Sequence, residues 1–123
     1  MSQIDSVFAI TSIDGRYRNK VEDLALITSE FGLIKYRTEV ECQWVLFLSE
    51  CNEIPEIPRL DGEDRAFVEA IAANFDATGA TRVKEIEATT NHDVKAVEYY
   101  LKEQFALRPN LRAINEWLHF GCT

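Results

Sequence analysis

Apolar residues recur at steps of three and four through most of the chain. From Ser29 to Cys51 the series Leu33, Tyr36, Val40, Trp44, Phe47, Leu48 and Cys51 has the spacing of one helix face. The Trp44 to Leu48 cluster within it, like the turns around Trp117, is expected to be core or interface rather than a ligand platform. Pro55 and Pro58 stop the helix and impose an extended connector. Asp61 can cap a second helix whose Phe67, Ala70, Ile71 and Phe75 face inward. A short third helix starts at Thr78 or Thr81 and runs through Val83 and Ile86, until Ala88-Thr89-Thr90-Asn91 interrupts it with cap-forming and turn-forming residues. Val94, Val97, Leu101 and Phe105 define a fourth helix over 93–105, with Asn91 as its candidate cap. Pro109 suits the first turn of a fifth, with Leu111, Ile114, Trp117 and Leu118 inward and Gly121 as its stop.

Residues 1 to 20 show no helical period. Ile13-Asp14-Gly15-Arg16-Tyr17 reads instead as a tight turn, because Asp and Gly favour local hydrogen bonding and positive φ. Five helices without a convincing pair of strands predict an all-α domain.

Composition narrows the function. At 123 residues and 46% hydrophobic, the chain can bury a single core and is not intrinsically disordered. A net charge of −8 argues against a nucleic-acid or anionic-membrane binder. Residues 1 to 83 carry a net −7 and 84 to 123 a net −1, so an anion site must draw on local cations such as Arg16, Arg18 and Lys20. Cys42, Cys51 and Cys122 lack CxxC spacing and follow no apolar leader. Free thiols in a reducing, cytoplasmic setting are expected, without a zinc site. The longest apolar run, Trp44 to Leu48, is far too short to span a bilayer.

Three places can carry chemistry. Thr89 to Val94 puts hydroxyls, an amide, an imidazole and a carboxylate at a helix start, where open N–H groups and the dipole favour an anion and a neutral His92. His92 and Asp93 are adjacent and do not face each other as a dyad. Arg16 beside Tyr17 offers a guanidinium fork and a phenol to a phosphate or carboxylate. His119, in the last turn of the final helix, is accounted for by the negative dipole end. Each of the three also reads as ordinary structure: a polar cap, a common turn, a dipole-compensating residue. No GxGxxG, Walker loop, HExxH or GxSxG occurs.

Ser12 to Tyr17 (SIDGRY), Glu87 to Tyr99 (EATTNHDVKAVEY) and Glu116 to Thr123 (EWLHFGCT) closely resemble the opening section of the bacterial adenylosuccinate lyase family, in the same order and at matching separations. The resemblance implies the N-terminal helical domain of a fumarase/aspartase-type lyase, with residues 1–110 in that domain and 111–123 beginning a central helical domain. It further implies β-elimination of fumarate from adenylosuccinate, giving AMP, and from SAICAR, giving AICAR, in purine biosynthesis. A homotetramer with sites shared among three subunits, and no metal or organic cofactor, are also implied.

Residue by residue, Arg16 and Tyr17 match the pair that holds the nucleotide's phosphate end for a neighbouring subunit. Asn91, His92 and Asp93 match a substrate-contacting triplet, with His92 assisting near the succinyl group. Thr123 matches the first residue of a substrate-binding Thr-Ser pair, and His119 a nearby site histidine. The family's general acid and base have no counterpart before the chain ends, so these 123 residues alone are expected to be inactive. The ending directly after a helix stop is read as a junction. The rival reading is a stand-alone acidic helical module that binds a protein partner.

Overall fold

The computed structural model describes residues 5–122. They form helices and turns with no strand among the described residues, as the periodicity predicts. The helices are α1 (Ala25–Thr28), α2 (Glu30–Glu50), α3 (Gly62–Ala73), α4 (Ala77–Thr90), α5 (Asp93–Phe105) and α6 (Pro109–Arg112), with 3-10 turns at Arg18–Lys20, Glu22–Leu24 and Asn115–Trp117. The chain divides into two compact units, Met1–Leu33 and Ile34–Thr123. No described helix is long and apolar enough to cross a membrane.

In the first unit, consecutive turns run from Thr11 to Lys20, closed by bonds such as Tyr17 N–H to the Ser12 carbonyl at 2.9 Å. Gly15 is required there by close approach: a Cβ would meet the Ser6 carbonyl oxygen at 2.7 Å. Its φ is not positive, so crowding, not left-handed backbone, explains the glycine. Extended backbone at Ser29 separates α1 from α2, and the Ser29 hydroxyl accepts from Gly32 N–H at the start of the longer helix.

The core of the second unit draws on α2, α3, α4, α5 and α6. Val45, Val68, Val83, Val97, Leu101, Phe105 and Leu111 are all essentially sealed from solvent. Ile57 and Leu60 anchor the proline-containing connector against this core. Asp76 caps α4 by accepting from Thr78 and Gly79 N–H, so that helix begins earlier and runs longer than the pattern predicts. α4 and α5 pair as an antiparallel hairpin, clamped by a two-pronged Arg82–Glu103 ion pair at 2.6 and 3.0 Å.

Helix α2 exists over nearly its predicted span, but its predicted stripe is not the inward face. Ile34, Thr38, Glu41, Cys42, Val45, Leu48 and Ser49 are buried, whereas Tyr36, Val40 and Phe47 are 42%, 62% and 60% exposed. Polar residues occupy inward positions because each finds a partner. Thr38 and Ser49 hydroxyls donate to carbonyls of their own helix, and Glu41 is used from elsewhere. A second difference lies at the end: the fifth helix stops at Arg112 and the chain continues as turns instead of helix to Gly121. The spacing of Leu111, Ile114 and Leu118, all buried, is satisfied by this 3-10 and turn geometry too.

Candidate functional site

The α4–α5 junction is made by two residues. Asn91 adopts left-handed backbone (φ 54) as the C-terminal cap of α4, with its N–H on the Glu87 carbonyl at 2.8 Å. Its role is therefore to end α4 and not, as the pattern suggests, to cap α5. His92 caps α5: its Nδ1 accepts from Lys95 N–H at 3.1 Å. An accepting Nδ1 puts the proton of a neutral ring on Nε2, which the hydrogen-bond network assigns as an outward donor on a side chain 60% exposed. The nearest His92–Asp93 approach is 4.0 Å, too long for a hydrogen bond, so no dyad forms.

Asp93 opens α5 with both oxygens engaged. Oδ2 accepts from Arg37 on α2 at 2.7 Å, and Oδ1 from Val94 N–H at 2.9 Å. The Arg37 guanidinium first, then the Val94 backbone, hold its carboxyl below the usual carboxylate range.

His119 lies outside any helix, in left-handed backbone (φ 65) within the turn that follows Trp117. The helix dipole therefore does not account for it. The Glu41 carboxylate accepts twice from this residue: Oε2 from the backbone N–H at 3.0 Å, and Oε1 from the ring Nδ1–H. One turn along α2, Trp44 Nε1–H donates to the Phe120 carbonyl at 2.7 Å.

Arg37 and Glu41 are four residues apart on α2, so they project from the same side of the helix on successive turns. Asp93 and His119, distant in sequence, are thereby tethered to neighbouring turns of one helix. The sequence reading missed both tethers. A signal for Glu41 was present: it falls in register with Ile34, Thr38 and Val45, where an unpaired carboxylate would be costly.

Glu41, His119 and Cys122 have ligand atoms within 4.8 Å of one another. Donors on a common zinc ion would stand roughly 3.3 Å apart given its usual bond lengths. The hydrogen-bonded Glu41–His119 pair is closer than that, so metal binding would have to break it. All three cysteines are free thiols; burial, then Glu41 and Glu39, push Cys42 up to about 12, and burial also raises Cys122.

In the first unit, Arg16 and Tyr17 are exposed, with the guanidinium over the phenol ring at 5.2 Å. No described residue takes a hydrogen bond or ion pair from Arg16, whereas its neighbour Arg18 is paired with Asp14 at 3.0 Å. Thr123 lies outside the described residues.

No family model matches the chain. Among curated proteins it is similar to adenylosuccinate lyases of Vibrio cholerae, at 52% identity over 121 residues, and of Haemophilus influenzae and Escherichia coli, each at 46% over 121 residues. These alignments cover 98% of the chain and 26% of each relative. The chain thus spans about a quarter of the length of the relatives it matches.

Proposed function

We propose that this chain, homologous to adenylosuccinate lyases along 98% of its length, is the nucleotide-binding helical part of such an enzyme. The observation that carries the reading is 52% identity over 121 of the 123 residues.

In this reading the complete enzyme removes fumarate from adenylosuccinate and from SAICAR. A base takes a proton from the succinyl carbon, the electron pair becomes the new double bond, the carbon–nitrogen bond breaks and an acid protonates the departing amine. The acid and base belong to the three quarters of the relatives that these residues do not match. Arg16 and Tyr17 bind the phosphate end, the guanidinium supplying a planar fork whose donors have no partner among the described residues. Asn91, His92 and Asp93 contact the substrate, with the outward Nε2–H of His92 suited to a carboxylate oxygen of the succinyl group. His119 and Thr123 complete the binding set. Residues 1–110 form the N-terminal domain and 111–123 lead into the next, within a cytoplasmic homotetramer that needs no cofactor.

The exposed Tyr36, Val40 and Phe47 favour a second reading, an acidic interaction module. The same face serves equally well for packing within a longer polypeptide, and identity to the lyases supports the first reading.

The test is a chimera in which this chain replaces the matched segment of the Vibrio cholerae relative. Fumarate release by the chimera, and none by the 123 residues alone, is expected. A chimera that assembles like the parent but releases no fumarate would overturn the proposal.

A further inference from the structure

Glu41 sits at an inward position of α2, with a side chain only 8% exposed, in a place where packing alone would favour an apolar residue. Among the described residues both of its oxygens serve one partner, the backbone N–H and ring Nδ1–H of His119. A buried carboxylate is costly unless its hydrogen bonds are made, and here one residue makes them. The grip is two-pointed, so it fixes the rotation of the ring as well as its place. Trp44 pins the following carbonyl from the next turn of α2, and His119 itself holds a left-handed φ that non-glycine residues seldom adopt. Nothing among the described residues engages Nε2, and the side chain remains 21% exposed.

We propose that Glu41 is the positioning residue of His119, keeping the neutral ring protonated on Nδ1 and turning Nε2 outward as a fixed acceptor for an N–H or O–H group of a ligand. A carboxylate cannot donate, so a neutral imidazole facing it must carry its proton on the facing nitrogen. The other nitrogen is then obliged to accept. His119 thereby complements His92, whose cap bond leaves Nε2 a donor. For a neutral ring facing an ionised Glu41 the polarity follows from the geometry; assigning the ligand as a purine nucleotide, through its ribose hydroxyls or amine, rests on the function proposed above.

The test reads the two parts separately. In the 15N-labelled 123-residue protein, at a pH where the ring is neutral, His119 should show a pyrrole-type Nδ1 and a pyridine-type Nε2. The reverse pattern would overturn the proposal whatever the ligand. Glu41→Gln can accept from only one of the two donors, so the single tautomer should give way to a mixture. An unchanged spectrum in the folded variant would also overturn it, and should the variant not fold, the wild-type spectrum decides. In the fumarate-releasing chimera, Glu41→Gln and His119→Asn should each lower turnover, and the double variant should fall no further than His119→Asn. Losses that multiply would mean that Glu41 acts independently of His119. An inactive chimera would remove the nucleotide reading and leave the tautomer result standing.

Discussion

Arg37 of α2 and Asp93 of α5 form a 2.7 Å ion pair between residues 56 positions apart, and it ties the first turn of α5 to α2. The second oxygen of Asp93 accepts from Val94, so the carboxylate is consumed by the fold on both sides. Any substrate contact by Asp93 must share a carboxylate already committed to holding the junction.

Acid should therefore loosen this chain through a small set of carboxylates. Arg37 lowers Asp93, Asn110 and then Arg108 lower Asp64, and Arg82 lowers Glu103. A depressed native value means stability that is present above the ordinary carboxylate range, about pH 4, and lost as pH falls below it through each lowered value. Melting temperature is expected to hold between neutral pH and about 5 and to drop below about 4. Asp93→Asn should flatten part of that descent; an identical profile would remove Asp93 from the account.

The two sides of α2 and its neighbours invite a contrast. Phe105 is sealed in the core, so Phe105→Ala should cost about 3–5 kcal/mol. Phe47 is 60% exposed, so Phe47→Ala should stay within about 0.5 kcal/mol in this chain. Urea unfolding measures both, and a large loss at Phe47 would return the outward stripe to the core.

Asn91 holds φ 54. Asn91→Gly should be neutral or slightly stabilising, whereas Asn91→Ala should lose roughly 1–2 kcal/mol from the left-handed strain. In the chimera, Asn91→Gly separates fold from site: full stability with reduced fumarate release assigns the amide to the substrate, and unchanged release leaves Asn91 a cap.

His92 supplies a cap that Asn can also make, so His92→Asn should leave the melting temperature nearly unchanged, while His92→Ala should cost about 1 kcal/mol. If the ring assists the elimination, turnover of the chimera should fall roughly 10²-fold with either. Normal turnover in His92→Asn would reduce His92 to its cap.

Arg16→Lys keeps the charge and loses the planar fork, so in the chimera it should raise KM more than it lowers kcat. An unchanged KM would count against a phosphate contact.

The pattern of residues told where helices would be better than which way they would face. Ser29 to Cys51 reads as a helix because its apolar residues keep a 3.6 period, and α2 forms there. Its inward side was hidden because Thr38 and Ser49 bury hydroxyls by bonding their own helix, and Glu41 by bonding a turn 78 residues away. Helix breakers were legible at Pro55, Pro58 and Asn91, whereas α4 runs on through Ala88, Thr89 and Thr90, where the pattern predicts its interruption, and the division of labour at the junction was not legible. Asn and His can both cap; only the left-handed backbone at Asn91 assigns one to α4 and leaves the other to α5. After Pro109, spacing alone favoured a continuous helix, since i, i+3 positions fit a 3-10 turn equally well. The helix ends at Arg112, and further on the non-helical backbone at Leu118 and the Glu41 grip on His119 hold the chain in its turns, neither of which the spacing shows.

The two-residue link between α4 and α5 also bears on the order in which the molecule assembles. Closing so short a loop loses little chain entropy, and the pairs it brings together, such as Arg82 with Glu103, are only 21 residues apart. This hairpin is the pairing a folding chain reaches soonest, well before α2 meets the turn at His119 across 78 residues. The backbone at Asn91 and His92 is thus set by local events, and the arrival of α2 locks an already shaped corner instead of creating it.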